Sequence, residues 1–186
     1  MSGFKEIDYD NIDYIYIDTC VLLQYYKYNR SSELTNKCTD LFIDSYNADV
    51  PLVISEQVLH EIKKVIIADS FASRGYNNEH DIKDLQEKSY STYVNMMNEA
   101  LNSYKTYRYK IEHNEMILND VLVPSSEAYR ISDDIMFQYN IHGADDALHL
   151  GIALDYGIPA FASVDKDFAG LSIPNLEIYF ERNNNK

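Results

Sequence analysis

The stretch Gly143–Phe168, GADDALHLGIALDYGIPAFASVDKDF, reads as a helix, a tight turn and a buried strand in direct succession. ADDALHLGIALDYG (144–157) is rich in small and apolar residues, and Gly157 stands where a left-handed residue would end a helix. IPAFAS (158–163) is an apolar run of strand length. Acids bracket the pair. Asp145 and Asp146 fall in the first turn of the helix, and Asp165 and Asp167 follow the strand. A helix that feeds straight into a buried strand is a unit of a parallel α/β sheet.

The same alternation extends outward along the chain. DYIYID (13–18) is a short Ile- and Tyr-rich strand running into a helix at TCVLLQYYKY (19–28). SSELTNKCTDLFIDSYN (31–47) places Leu34, Cys38, Leu41 and Phe42 at helical spacing. VPLVIS (50–55) is a second strand, and Ser55 caps the helix SEQVLHEIKKVIIADSF (55–71), whose apolar face is Val58, Leu59, Ile62, Val65 and Ile66. From about 77 to 116 the composition turns polar and Tyr-rich without Pro or Gly, and predicts one or two helices. VLVPSS (121–126) is a third strand, SEAYRISDDIMFQYN (126–140) a helix, and LEIYF (176–180) a fifth strand after IPAFAS. The expectation is one α/β domain over 1–180. It has a central parallel sheet of four to five strands with helices on both faces, a helical insert at about 77–116, and a polar tail at 181–186.

Bulk composition narrows the class. The 186 residues suffice for one domain with a proper core, and 46% hydrophobic with 25% charged residues argues against disorder. Cys20 and Cys38 are too few for a disulfide framework and lack zinc-ligand spacing, which points to a reducing, cytoplasmic setting. The start MSGFKEIDYD has no basic-then-apolar order of a signal peptide, and YIYIDTCVLLQYY is broken by Asp18 and too short for a bilayer, so no membrane role is expected. Thirty acids against 16 basic residues give a net charge of −14, which works against long-range attraction to nucleic acid and suits a basic partner.

In parallel sheets, ligands gather beyond the carboxyl ends of the strands where the strand order reverses. Asp18 ends the first strand, Asp165 follows IPAFAS, and Asp146 begins the helix leading into it. Each has an ordinary explanation: capping for Asp18, the helix dipole for Asp145 and Asp146, turn preference for Asp165 and Asp167. Glu61 lies on the flank of its helix's apolar stripe, which by periodicity alone is a solvated position. His149 shares a face with Asp145 or Asp146, where a lone His is more often packing than ligand. Several carboxylates at one sheet edge would nevertheless repel one another unless a divalent cation joined them, and an oxygen-only set suits Mg²⁺ or Mn²⁺. Such sites serve phosphoryl transfer and hydrolysis.

YIDTCVLLQYY, ISEQVLHEIKK and DDALHLGIALDYGIPAFASVDKDF, in this order, resemble the PIN domain over roughly 12–68 and 117–176. The resemblance is to the VapC-like ribonuclease toxins of toxin–antitoxin pairs and their free-standing relatives. It implies a PIN-like α/β/α sandwich in which Asp18, Glu61, Asp146 and Asp165 are the catalytic, metal-ligating acids. Asp18 with Thr19 matches the family's first motif, Glu61 its helical acid, Asp146 before Ala147–Leu148 its third acid, and Ser163, Asp165 and Phe168 its last motif. Thr19, Asp145, His149, Ser163 and Asp167 then stand around the ligands. Cys20 departs from the family's usual Asn or Ser, and the 77–116 segment is longer than in a compact toxin.

The resemblance implies a Mg²⁺- or Mn²⁺-dependent endoribonuclease that leaves 5′-phosphate and 3′-hydroxyl ends. It further implies an antitoxin whose basic segment enters the acidic site, and a homodimer. NSYKTYRYK, where Lys105, Arg108 and Lys110 alternate with Tyr104, Tyr107 and Tyr109, reads equally as an RNA contact or as a solvated helix face with its tyrosines packed on the body. The competing expectation is a PIN-fold scaffold that binds partners without catalysis, favoured by the charge and the insert. A structure-selective DNA nuclease would use similar metal chemistry.

Overall fold

Ile15, Tyr16 and Ile17 are fully buried, and this apolar triplet forms β1 (Ile15–Ile17) at the centre of the sheet in a computed structural model of the chain. The structure describes residues 7–26, 33–118 and 120–180. β2 (Leu52–Val53) lies on one side of β1, and β3 (Ala160–Ser163) on the other, followed by β4 (Glu177–Phe180). All three pairings are parallel: Tyr16 faces Val53 and Phe161, and Phe161 faces Ile178. Strands buried on both faces read as continuous apolar runs, which is why YIYI and AFA announce themselves in the sequence.

Seven helices accompany the sheet among the described residues. The chain is therefore α/β with an all-parallel four-stranded sheet, consistent with an α/β/α sandwich. Among the described residues no helix is long and apolar enough to cross a membrane. The tail 181–186 and residues 27–32, including the predicted end of the first helix, lie outside the described residues.

The predicted strand VLVPSS is a correction. Leu122 makes an isolated parallel bridge with Ser55, and Ile117 makes another with Leu52. Backbone bonds from Leu118 to the Leu52 carbonyl (2.8 Å) and from Leu122 to the Ile54 carbonyl (3.0 Å) run beside β2 without forming a continuous strand. Pro124 has no N–H to extend this edge pairing, and Ser125 turns the chain into the next helix.

The chain divides into two compact units. The first, Met1–Val58 with Glu115–Lys186, holds the sheet, α1 (Thr19–Tyr26), α2 (Glu33–Asn47), α6 (Ser126–Tyr139) and α7 (Ala144–Asp155). α3 (Glu56–Ala72) starts in this unit and runs into the second, Leu59–Asn114, which also holds α4 (Glu79–Lys88) and α5 (Tyr90–Glu112). Ile67, Phe71, Leu85, Tyr93 and Met96 give this second unit its own apolar cluster. The predicted helical insert thus resolves into two helices, with the Asn78 side chain accepting from Asp81 N–H to start the first.

Within the first unit, α7 packs tightly on α6 through Gly151. A Cβ at this position would collide with the Ala128 carbonyl and lie 3.1 Å from the Ser132 nitrogen. Alanine would gain about 1 kcal/mol of helix propensity, but the clash is with backbone, which cannot swing aside. Overpacking of this kind costs about 1–3 kcal/mol. Gly151→Ala is accordingly expected to lower the urea midpoint; a raised midpoint would show that the helices separate freely.

Candidate metal centre

The strand order reverses between β1 and β3, since the chain passes from β1 to one neighbour and later returns to the other side. Asp18 leaves β1 at this point, and its N–H bonds the Ala162 carbonyl of β3 at 3.1 Å. Its buried carboxylate is fixed by three donors. Thr19 N–H reaches Oδ1 at 2.6 Å, while the Cys20 thiol and the Ser163 hydroxyl reach Oδ2 at 2.8 and 2.7 Å. Burial and the neighbouring Asp18 push the Cys20 thiol well above its usual range, so Cys20 stays a protonated donor. It occupies the place of the expected Asn or Ser and still makes a hydrogen bond to the acid.

Ser163 also orders the loop beyond β3. Its Oγ accepts from Asp165 N–H at 2.9 Å, and Asp165 Oδ1 accepts from Asp167 N–H at 3.0 Å. Asp165 thereby caps the short 3-10 turn Lys166–Phe168, which Phe168 anchors by packing on Phe161, ring centres 4.9 Å apart. Asp167 itself is exposed.

α7 brings the third acid. Ala147 to Ala153 are all buried, so the helix can point only its first turn outward. Asp145 is exposed and accepts from the Gln57 side chain at 2.9 Å. Asp146 is half-buried, and its carboxyl folds back over Gly143, where a Cβ would collide with it. Desolvation first, then Asp18 and Asp165, with a smaller contribution from Asp167, push the Asp146 carboxyl up to about 6 against an opposing pull from His149. Asp18, Asp165 and Asp167 therefore all act on Asp146 through space.

His149 is fully buried one turn further along α7. Its Nδ1 lies 2.8 Å from the Tyr16 hydroxyl, which lies 2.6 Å from Ser55 Oγ, and its Nε2 lies 3.6 Å from Asp18 Oδ1. Glu61 follows on α3. One ligand atom each from Asp18, Glu61 and His149 lie within 4.8 Å of one another, a group able to hold a metal ion.

These residues fit a divalent cation. Two carboxylates and an imidazole are a ligand set for such ions. The buried Thr19 hydroxyl, beside Asp18, has no hydrogen-bond partner among the described residues. The glycine at 143 leaves the room into which Asp146 turns, and a cation would offset both the desolvation and the neighbouring acids that raise Asp146.

Sequence reasoning placed His149 in a packing or supporting role, whereas here it shares a ligand-grade cluster with Asp18 and Glu61. Asp146 and Asp165 lie outside that trio; Asp146 interacts electrostatically with Asp18 and His149, and Asp165 acts on Asp146. Tyr16 and Ser55 were not anticipated as part of the centre. The only local hint is a polar-tipped aromatic in an otherwise aliphatic buried strand. Lys105, Arg108 and Lys110 lie on α5, where Arg108 pairs with Glu112 at 2.6 Å and Tyr109 stacks on His113, ring centres 3.9 Å apart. No protein-family model matches the chain, and no curated protein compared with it matches.

Proposed function

We propose that the chain is a Mg²⁺- or Mn²⁺-dependent endoribonuclease of the PIN kind. The observation that carries this reading is the convergence of Asp18, Glu61 and His149 where the sheet order reverses, with Asp146 pushed up beside them. Asp18, Glu61 and Asp146 are the acids assigned to hold the cation, and Asp165 completes the cluster. Thr19, Cys20 and Ser163 keep the Asp18 carboxylate in a single orientation. Asp146, with its carboxyl at about 6, is mostly ionised at neutral pH and open to a cation. When bound, the ion supplies activation of water and stabilises the departing oxygen of a phosphodiester. The products are a 5′-phosphate and a 3′-hydroxyl. Lys105, Arg108 and Lys110 are candidates to hold the RNA strand. A basic antitoxin segment suits the acidic surface.

The net charge of −14 favours a second reading, a PIN-like scaffold that binds a basic partner without cutting. Incubating the protein with a pool of structured RNAs separates the two. Under the enzyme reading, cutting occurs with Mn²⁺, stops with EDTA and is lost in Asp18→Asn. Cutting that survives EDTA would refute the metal mechanism, and a protein that binds Mn²⁺ yet cuts no RNA would favour the scaffold.

A further inference from the structure

We propose that His149 is itself a ligand of the cation, that Tyr16 and Ser55 set its tautomer, and that the centre consequently prefers a first-row transition ion to Mg²⁺. The inference rests on the cation-site reading above and deepens it.

His149 presents its two ring nitrogens to different partners. Nδ1 meets the Tyr16 hydroxyl at 2.8 Å, and that hydroxyl meets Ser55 Oγ at 2.6 Å, with all three side chains buried. On this proposal Nδ1–H donates to the Tyr16 oxygen, and the Tyr16 O–H donates to Ser55 Oγ. A protonated Nδ1 leaves the lone pair of the neutral ring on Nε2, the arrangement in which a histidine ligates a metal while its other nitrogen donates to an outer partner.

Nε2 and Asp18 Oδ1 are 3.6 Å apart, too far for a hydrogen bond. Ligand bonds of about 2.0–2.2 Å place neighbouring donor atoms about 2.8–3.1 Å apart at octahedral angles and about 3.3–3.6 Å apart at tetrahedral ones. The spacing is therefore that of two atoms sharing an ion. Cys20 and Ser163 both engage Oδ2, and Oδ1, which accepts from Thr19 N–H, is the oxygen 3.6 Å from the imidazole. Tyr16 is rigid as well as polar, since its ring stacks on Phe161 with centres 5.6 Å apart and an interplanar angle of 16°. A nitrogen donor favours the first-row ions, Mn²⁺ least and its heavier neighbours increasingly, whereas Mg²⁺ keeps to oxygen and water.

Pulsed electron paramagnetic resonance of Mn²⁺ bound to the full chain reads this directly. Wild type is expected to show nitrogen modulation from a coordinated imidazole, and His149→Gln to lose it. Tyr16→Phe keeps the stacked ring and removes only the hydroxyl. It is expected to weaken Mn²⁺ binding about 10–100-fold, the usual effect of losing an outer partner, and to lower the ratio of Mn²⁺ to Mg²⁺ affinity. Mn²⁺ bound by wild type without nitrogen modulation would overturn the assignment of His149 alone. No Mn²⁺ binding by wild type would overturn the cation site with it. An unchanged ion preference in Tyr16→Phe would remove Tyr16 from the account.

Discussion

Asp146→Asn is expected to stabilise the metal-free protein at neutral pH and, on the proposed nuclease reading, to remove RNA cleavage. The Asp146 carboxyl is raised from 3.8 to about 6, chiefly by desolvation and then by Asp18 and Asp165. The folded state therefore holds a proton that the unfolded chain releases, and between roughly pH 4 and pH 6 stability falls as pH rises. Above about pH 6 the loss is complete, and below pH 4 it vanishes because the acid is protonated in both states. Asn carries no charge at any pH, so the variant should lose this slope and exceed wild type at pH 7 in EDTA. Its kcat should drop by about 10²–10³, the scale of removing one group that stabilises a transition state. Urea midpoints at pH 4 and pH 7 check the first part, and RNA cleavage with Mn²⁺ the second. A variant less stable than wild type at pH 7 would mean that Asp146 makes a favourable contact outweighing the repulsion.

The second large effect belongs to the helical unit. Phe71 is fully buried at the end of α3, against Leu85 of α4 and Met96 of α5, with the Tyr93 ring 5.8 Å away. Truncating a buried Phe to Ala removes the transfer free energy of the ring and leaves a cavity, a cost of about 3–5 kcal/mol. The cluster has few members, so little is available to collapse into the space. Phe71→Ala should accelerate amide exchange in α4 and α5 by about 10²–10⁴. Unchanged protection there would show that Phe71 is not what holds these helices.

The sheet was legible because its strands are buried on both faces. Ile15, Tyr16 and Ile17, and likewise Ala160, Phe161 and Ala162, leave no polar position to obscure the pattern. Gly157 ended its helix as read, with φ +66°. VLVPSS misled because β-branched residues look the same in a strand and beside one. What decides is whether neighbouring N–H groups pair continuously, and Leu122 pairs only through an isolated bridge.

Parts of the site were legible for a different reason. Asp18 and Asp165 follow strands, so topology alone gathers them at one edge. Glu61 offered nothing to periodicity, and only the resemblance of its motif order to a PIN domain picked it out. His149 was hidden by its surroundings. Its contacts to Tyr16 and Asp18 span more than a hundred residues, and on its own helix it is one more buried position between Leu148 and Leu150. Local spacing has no access to such pairings. Cys20 shows the converse, since a thiol in place of an amide or hydroxyl still donates to Asp18.

Calorimetric titration of Mn²⁺ into the metal-free protein tests the central claim most directly. At pH 6, where the Asp146 carboxyl is about half protonated, wild type should bind the ion at a saturable site and release protons as Asp146 ionises, and Asp18→Asn, folded by circular dichroism, should not bind at that site. Equal binding by both proteins, or no binding by wild type, would contradict a metal centre built on Asp18.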